Sequence, residues 1–428
     1  MKYLAAGIAA TVVVVGGVTA GSLVISDNKI DEQVDRLTTV AEQSGFKVSV
    51  EQDTNTWLSR QLSLRLTASD GSLPVPILIN NDITQRPWRT NVQHEVLLDS
   101  QISDPTMDPE LQALLNRYLV DRPFLTGTSQ ISASGNYQTQ LQSIAVNETE
   151  ADWSVSMSPM TVDIAGTVSG EVVMQGQWPG MNVASQTEST QLNIAPVSFS
   201  AEGQSLASGL FDGTQTASIE SINIQIDDDY PTTFVLDALT FTANGEVVDQ
   251  LYSGAMTVSM DKINIDEETT SMIVDDLSMT TSFSGLEAGN YERLMAEVAA
   301  MDSTGVPSAA LKDEANVLLK NGFNISFDDW HATVNDQSVQ LAAQLTVPKN
   351  ELVDVNVPIS LMGLFPMISA SADVTIDAGL VDIPELYDPM MGLLMTGALI
   401  SQGDEYVMNA SLENGRVMLN GQPMPLPF

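Results

Sequence analysis

The chain of 428 residues has no cysteine, which removes disulfides, thiol nucleophiles and cysteine-ligated metal sites together. Histidine is nearly absent: His94 and His331 are the whole supply. Two lone imidazoles make a poor metal centre, and each sits in an alternating run where a packed or edge histidine is expected. Bases are scarce too, 16 against 55 acids, giving a formal net charge of −39. None lies between Arg122 and Lys262, a stretch that holds sixteen acids. Such a surface repels phosphate backbones, so nucleic acid is excluded as a partner. Its simplest reading is a strongly hydrated, soluble surface suited to salty surroundings.

Aromatic residues make up 6% of the chain. A glycosidase cleft needs aromatic and arginine-lined walls around its carboxylates, and among 55 acids a pair alone carries no signal. The acidic runs Asp227-Asp228-Asp229 and Asp275-Asp276 lack the alternating ligands, central glycine and distal glutamate of a calcium loop. No Gly-x-Ser-x-Gly elbow, phosphate-cradling loop or Gly-x-Gly-x-x-Gly fingerprint occurs. The composition therefore points to a protein that is not an enzyme and holds no cofactor or metal.

What the chain does have is an unbroken stretch of apolar and small residues from Leu4 to Ile25, with no charge until Asp27. At helical rise it covers roughly 33 Å, enough to span a bilayer core. Lys2 is positive before it, while Asp27, Lys29, Asp31 and Glu32 follow it, a flank close to neutral or acidic. The positive flank stays inside, which puts residues 26–428 in the periplasm on a single inner-membrane span through residues 4–25. A cleaved signal peptide is the competing reading, with Val18-Thr19-Ala20 before Gly21 as the cleavage site and a soluble periplasmic product. The body is exported in both.

Beyond this anchor segment (1–26) the pattern separates a mainly β region, 27–285, from an α+β region, 286–428. Ile30, Val34, Leu37 and Val40 predict a helix over 27–44, ended by Gly45. Period-two alternation then takes over at Phe46-Val48-Val50 and Leu62-Leu64-Leu66. Pro105 to Pro123 interrupts it with one short helix suggested by Leu111, Leu114, Leu115 and Leu119. From Thr126 to Ser284 the strand signal is nearly continuous, cleanest at Ile222-Ile224-Ile226, with a hairpin signal at Asn244-Gly245. Helical spacing returns over 291–301, 309–319 and 383–401, and Asn414-Gly415 marks a closing hairpin. The fold class predicted is mainly β (α+β): an extended or folded antiparallel sheet, one face wet and one dry, with a few short helices.

Methionine recurs along the strands at Met157, Met160, Met174, Met256, Met260 and Met279. It is a flexible gap filler, suited to cores and to adaptable apolar grooves. Three short helices cannot cover so long a dry face, so Ile222, Ile224, Ile226, Met256, Val258 and Met260 are the candidate lining of an apolar groove. Such a face would hold acyl chains, take a partner protein or a second copy, or close into a dry sandwich. Two functions follow: non-catalytic binding or passage of a lipid or other apolar ligand, or a structural role in envelope assembly without a ligand.

The pieces Ile30-Asp-Glu-Gln-Val-Asp-Arg-Leu37, Phe46-Lys-Val-Ser-Val50 and Trp57 to Leu66 sit in order behind the apolar stretch. Leu318-Leu-Lys-Asn-Gly-Phe-Asn-Ile325 and the ending Glu413-Asn-Gly-Arg-Val-Met-Leu-Asn-Gly-Gln-Pro-Met-Pro-Leu426 complete a pattern spread over the chain. In these the sequence resembles the YdgA-like family of Gram-negative envelope proteins, a family of unknown function. It departs from that family in the first hairpin, which reads Trp57-Leu-Ser-Arg60 in place of an Arg-Gly tract. The resemblance implies an envelope location and this architecture, and it brings no catalytic residues. Intact-mass measurement of the native protein should give a chain that retains residues 1–20; a mass beginning at Gly21 would mean a cleaved leader.

Overall fold

Alternation of apolar and polar side chains drives a sheet with one dry face, and most of this chain folds that way. The computed structural model describes residues 46–424 except 69–74, 100–111, 114–115, 118–119, 121, 150–152, 168, 186–189, 206–209, 227–230, 268–270, 300–307 and 352–364. The apolar stretch 4–25, the helical pattern over 27–44 and Asp227-Asp228-Asp229 lie outside the described residues. Among the described residues no helix is long and apolar enough to cross a membrane. Of the short helix expected before Pro123, residues 112–113 and 116–117 are helical.

Two compact units are present. The first falls within Met1–Thr149, Val155–Met181 and Ser198–Gln204, the second within Glu150–Ser154, Asn182–Val197 and Ser205–Phe428. In the first, β1 (Phe46–Asn55), β2 (Ser59–Ala68), β3 (Ile77–Arg86), β4 (Arg89–Leu98), β5 (Leu125–Ser132) and β6 (Asn136–Ser143) form an antiparallel meander. Short β7 (Val146–Thr149) and β8 (Trp153–Met157) follow. The sheet then continues through β9 (Thr161–Thr167), β10 (Glu171–Trp178) and β13 (Val197–Ser205). Its alternation is strict: Leu62, Leu64 and Leu66 of β2, Ile79 and Ile83 of β3, Val92 and Val96 of β4 and Ile131 of β5 are buried on one face. Burying each such side chain stabilises the fold by roughly 1.5–3 kcal/mol.

In the second unit, after β11 (Met181–Ser185), β12 (Gln191–Ile194) pairs with β14 (Phe211–Ile226). The sheet runs on through β15 (Thr232–Val248), β16 (Leu251–Glu267), β17 (Ser271–Glu287), β18 (Phe323–Val334), β19 (Gln337–Val347) and β20 (Ser369–Asp377). It closes with β21 (Ile400–Gln402), β22 (Glu405–Glu413), β23 (Arg416–Leu419) and β24 (Gln422–Met424), every described pairing antiparallel. The large antiparallel sheet is as expected. The hairpin at Asn244-Gly245 is not: both residues lie inside β15, opposite Ala255 and Gly254. Gly245 is there for close approach, since a Cβ would come within 2.7 Å of the Phe211 carbonyl and strike the Tyr252 ring. The turn falls at Asp249-Gln250, whose φ values of 52° and 68° suit a two-residue hairpin.

A line of irregularity crosses the long strands. Phe327 and Trp330 of β18 face Ala343 and Leu341 of β19, leaving β18 one residue longer. β17 is irregular between Asp275 and Thr280, and the β14–β15 and β15–β16 ladders lapse at Ala238. Ala238, Asp276 and Asp329 have φ of 54°, 53° and 52°. An extra residue in a strand reverses the parity of its sequence alternation while keeping the side chains on their faces. That is what the sequence requires: apolar residues are even-numbered in β14 at Ile222 and Ile224, but odd-numbered at Ala217 and Ile219.

Three α-helices are described. α1 (Ala288–Ala299) leaves β17 directly, and α2 (Ala309–Asn321) is capped by the Ser308 hydroxyl, which accepts from Leu311 N at 2.9 Å. Glu314 joins them, accepting from Arg293 Nε at 2.9 Å and Asn290 Nδ2 at 2.7 Å. After a 3₁₀ turn (Ala378–Asp382), α3 (Pro384–Met395) ends short of the expected Ser401, because Gly397 at φ 71° turns the chain into β21. The strain at the crossing line is testable at Ala238, whose left-handed backbone is unfavourable for any side chain. Ala238→Val should lower unfolding free energy by roughly 2 kcal/mol in chemical denaturation, whereas Ala238→Gly should not lower it.

Candidate functional site: the dry face of the second unit

Directly opposed residues on neighbouring strands share a face, so the register assigns every side chain of this sheet to one side. Ile224, Phe234, Ile265 and Met272 are in one row; Ile222, Leu236, Ile263 and Val274 form the next. Past the irregular line come Ile219-Leu239, Phe241-Val258-Met279 and Ala243-Met256-Thr281. Beyond them β18 and β19 add Ile325-Leu345 and Phe327-Ala343, then Trp330-Leu341 and Ala332-Val339. The result is a continuous apolar face. Seventeen-residue strands make it about 55 Å long.

The opposite face is hydroxyl and carboxylate. Thr257 bonds Thr280 at 3.0 Å, Ser282 bonds Ser326 at 2.6 Å, and Ser282 donates to Asp328 at 3.0 Å. His331 lies among them, Nδ1 2.9 Å from Asp329 and Nε2 3.6 Å from Asp276. Among the described residues no group of three or more His, Asp or Glu is disposed to hold a metal ion.

The candidate residues fall as follows. Ile222, Ile224 and Val258 are half-buried on the dry face, and Met260 is buried, 3% exposed. Met256 is 43% exposed, and Ile226, opposite Thr232 at the end of β14, is 38% exposed. By strict alternation the even positions of β14 and β16 would fall on opposite faces; the irregular line brings the two sets together. Leu236, Phe241, Ile263 and Met279 belong to the same wall; their alternation is visible in the sequence, but their shared face follows only from the register.

Among the described residues, helices cover this face at its ends. Tyr291 of α1 packs on Tyr252 at 6.0 Å and Phe283 at 6.2 Å, and Leu319 of α2 reaches Phe323, Leu345 and Val347. Met390, Leu386 and Leu394 of α3 pack on Val334, Val339, Val374 and Ile376. Between them the centre of the wall carries methionines and branched aliphatics, with few polar groups. Its chemistry is non-directional: it can hold alkyl groups, and it aims nothing at a reacting bond.

The first unit holds a second arrangement of interest, a polar row inside its dry face. His94 Nδ1 lies 2.6 Å from Asn81 Oδ1, His94 Nε2 2.6 Å from Ser129 Oγ, and Ser129 Oγ 2.7 Å from Thr139 Oγ1. One direction satisfies all three: Thr139 donates to Ser129, Ser129 to Nε2, and Nδ1–H to Asn81. The row exists because Asn81 opposes His94 and Ser129 opposes Thr139, while Gly127, opposite His94, lets the ring reach diagonally to Ser129. Its connectivity is that of nucleophile, base and orienting group, but Ser129 is 0% exposed and out of a substrate's reach. Burial pushes the His94 pKa down to about 4. His94 is thus a neutral, packed histidine, as its place in an alternating run implied.

These features define a class: a mainly β protein whose large antiparallel sheet presents one apolar and one hydroxyl-rich face. The family described as "Bacterial protein of unknown function (DUF945)" matches residues 1–382, and the chain belongs to it. No curated protein and no solved structure matches the chain.

The His94 row makes a pH prediction. Because its folded pKa lies below the unfolded value near 6.5, the unfolded chain takes up the proton first as pH falls. Stability is therefore lost between pH 6.5 and 4. In denaturant titrations the wild type should lose roughly 3 kcal/mol more than His94→Gln between pH 7 and pH 4.

Proposed function

We propose that this is a non-catalytic, membrane-anchored envelope protein of the YdgA-like kind, which binds a lipid or another apolar ligand along the dry face of its second unit. In this reading residues 4–25 hold it in the inner membrane and residues 26–428 work in the periplasm. The observation that carries it is the apolar wall itself: continuous across β14–β19, covered by helices at its ends and half-buried at its centre. Apolar surface held from water contributes about 25 cal/mol per Å², so an occupant with no hydrogen-bonding demands gains from filling such a wall. Methionines at 256, 260, 272 and 279 give that wall the adaptability an acyl chain needs.

The acidic character of the body fits the same reading, because it keeps a protein with a long apolar face hydrated and apart from its copies. Assembly of the envelope through protein contacts on the same face is the alternative.

Native mass spectrometry with lipid extraction, on protein purified from its own membranes, tests the proposal. Acyl lipid should co-purify with the wild type and be lost from Val258→Asp, whose circular dichroism should stay that of the wild type. A lipid-free wild-type protein, or lipid retained in full by Val258→Asp, would end the ligand reading. A stoichiometric protein partner in place of lipid would favour assembly.

A further inference from the structure

Three hairpin tips of the first unit stand side by side at one end of its sheet. Gln85 N donates to Leu58 O at 2.8 Å, tying the β3–β4 tip to the β1–β2 tip. Ala133 N donates to Trp88 O at 3.0 Å, tying in the tip between β5 and β6. On this end Trp57 is 86% exposed and Trp88 70% exposed, with Leu58 exposed beside them. A shallow hollow of about 330 Å³ lies between the two indoles, walled by Arg86, Pro87, Arg89 and Ile131.

Tryptophan is among the costliest side chains to leave in water, and here two share one end of a sheet in a chain with five. Turns need neither of them, since Gly, Asn, Asp and Pro satisfy turn geometry better. Their neighbours matter as much. Arg86 and Arg89 make no ion pair among the described residues, in a protein of net charge −39. Of the two acids four residues from these tips, Asp53 is engaged by Arg60 at 2.5 Å, and Asp82 is exposed on β3 four residues before Arg86.

We infer that this tip is a membrane-surface anchor: Trp57, Leu58 and Trp88 enter the interface of a phospholipid bilayer, and Arg86 and Arg89 bind anionic headgroups. Indoles favour the boundary between headgroups and acyl chains, where the ring is apolar and the N–H stays wet. Arginine adds attraction that acts within about 8 Å at physiological salt, so two local cations can work although the distant body is acidic. Geometry permits it. Phe46, where β1 begins, is about 33 Å from the tip. With 27–44 helical as expected, that segment spans about 27 Å, and the residues on either side add roughly 7 Å, which matches the distance needed for the tip to meet the bilayer that residues 4–25 are expected to span. The inference stands whether or not the second unit binds a ligand.

The test is tryptophan fluorescence of the full chain in phosphatidylcholine–phosphatidylglycerol vesicles whose acyl chains carry bromine. An anchor elsewhere would hold the protein on the vesicle in any case, so the readout is the tip's own emission. Up to about two-fifths of the wild-type emission should be quenched, since two of five tryptophans stand on the tip. Trp57→Ser with Trp88→Ser should abolish that quenching without changing the circular dichroism. Arg86→Ser with Arg89→Ser should reduce it at least twofold, as should omitting phosphatidylglycerol. Absence of quenching in the wild type, or equal quenching after loss of both tip tryptophans, would overturn the assignment. So would burial of the tip in a chain dimer, seen as indole emission that shifts with protein concentration in the absence of lipid.

Discussion

A long strand keeps one face dry only if its alternation stays in phase with the pleat over its whole length, and in this protein the sequence changes phase halfway. The row of irregular residues through Ala238, Asp276 and Asp329 resolves the conflict by adding one residue at the same level of successive strands. A one-residue slip would otherwise turn half the apolar side chains of β14–β18 toward water. Aspartate at two of the three left-handed positions is sensible, because it tolerates that backbone better than most residues. The same row sets the surface behind it, where Asp276 and Asp329 flank His331 on the hydroxyl face. Both faces of the second unit depend on that line.

The two units manage their dry faces differently. In the first, the apolar side chains are almost wholly buried and include a directed polar row, Thr139–Ser129–His94–Asn81. Such a row penalises other registers, since any slip leaves buried hydroxyls or an imidazole without partners. In the second, among the described residues, burial is partial, helices pack on the ends, and the centre is lined by methionines and branched aliphatics. A fully buried core that specifies register and a half-buried apolar wall are physically different: the first fixes one arrangement of its side chains, and the second leaves apolar surface in contact with water.

Charge follows the same division of labour. Acids crowd the body, while two of its few bases stand beside exposed indoles at the hairpin tips of the first unit. Since surface charges act over about a Debye length, the sign of a local patch and the sign of the whole chain need not agree. Net charge acts on the protein as a whole, whereas the arginines set the local sign of the tip.

The sequence alone determined the class of fold and most of its elements, because alternation and helical spacing are local: Leu62-Leu64-Leu66, Ile222-Ile224 and the helices near 291 and 309 needed no neighbours to be read. It also marked Asn414-Gly415 as a turn, since left-handed backbone there suits both residues. It misled at Asn244-Gly245, where glycine serves the close approach of Tyr252, a contact made only by the register of β15 with β16. The candidate wall was legible as two sets, at 222–226 and 256–260, yet that they share one face follows from bulges, which no pattern in a single strand reveals. Nor could the sequence join Trp57 to Trp88 or Asn81 to Ser129, because residues far apart in the chain meet only when strands pair. Local periodicity is written in the chain, whereas face, neighbour and exposure belong to the register of the folded sheet.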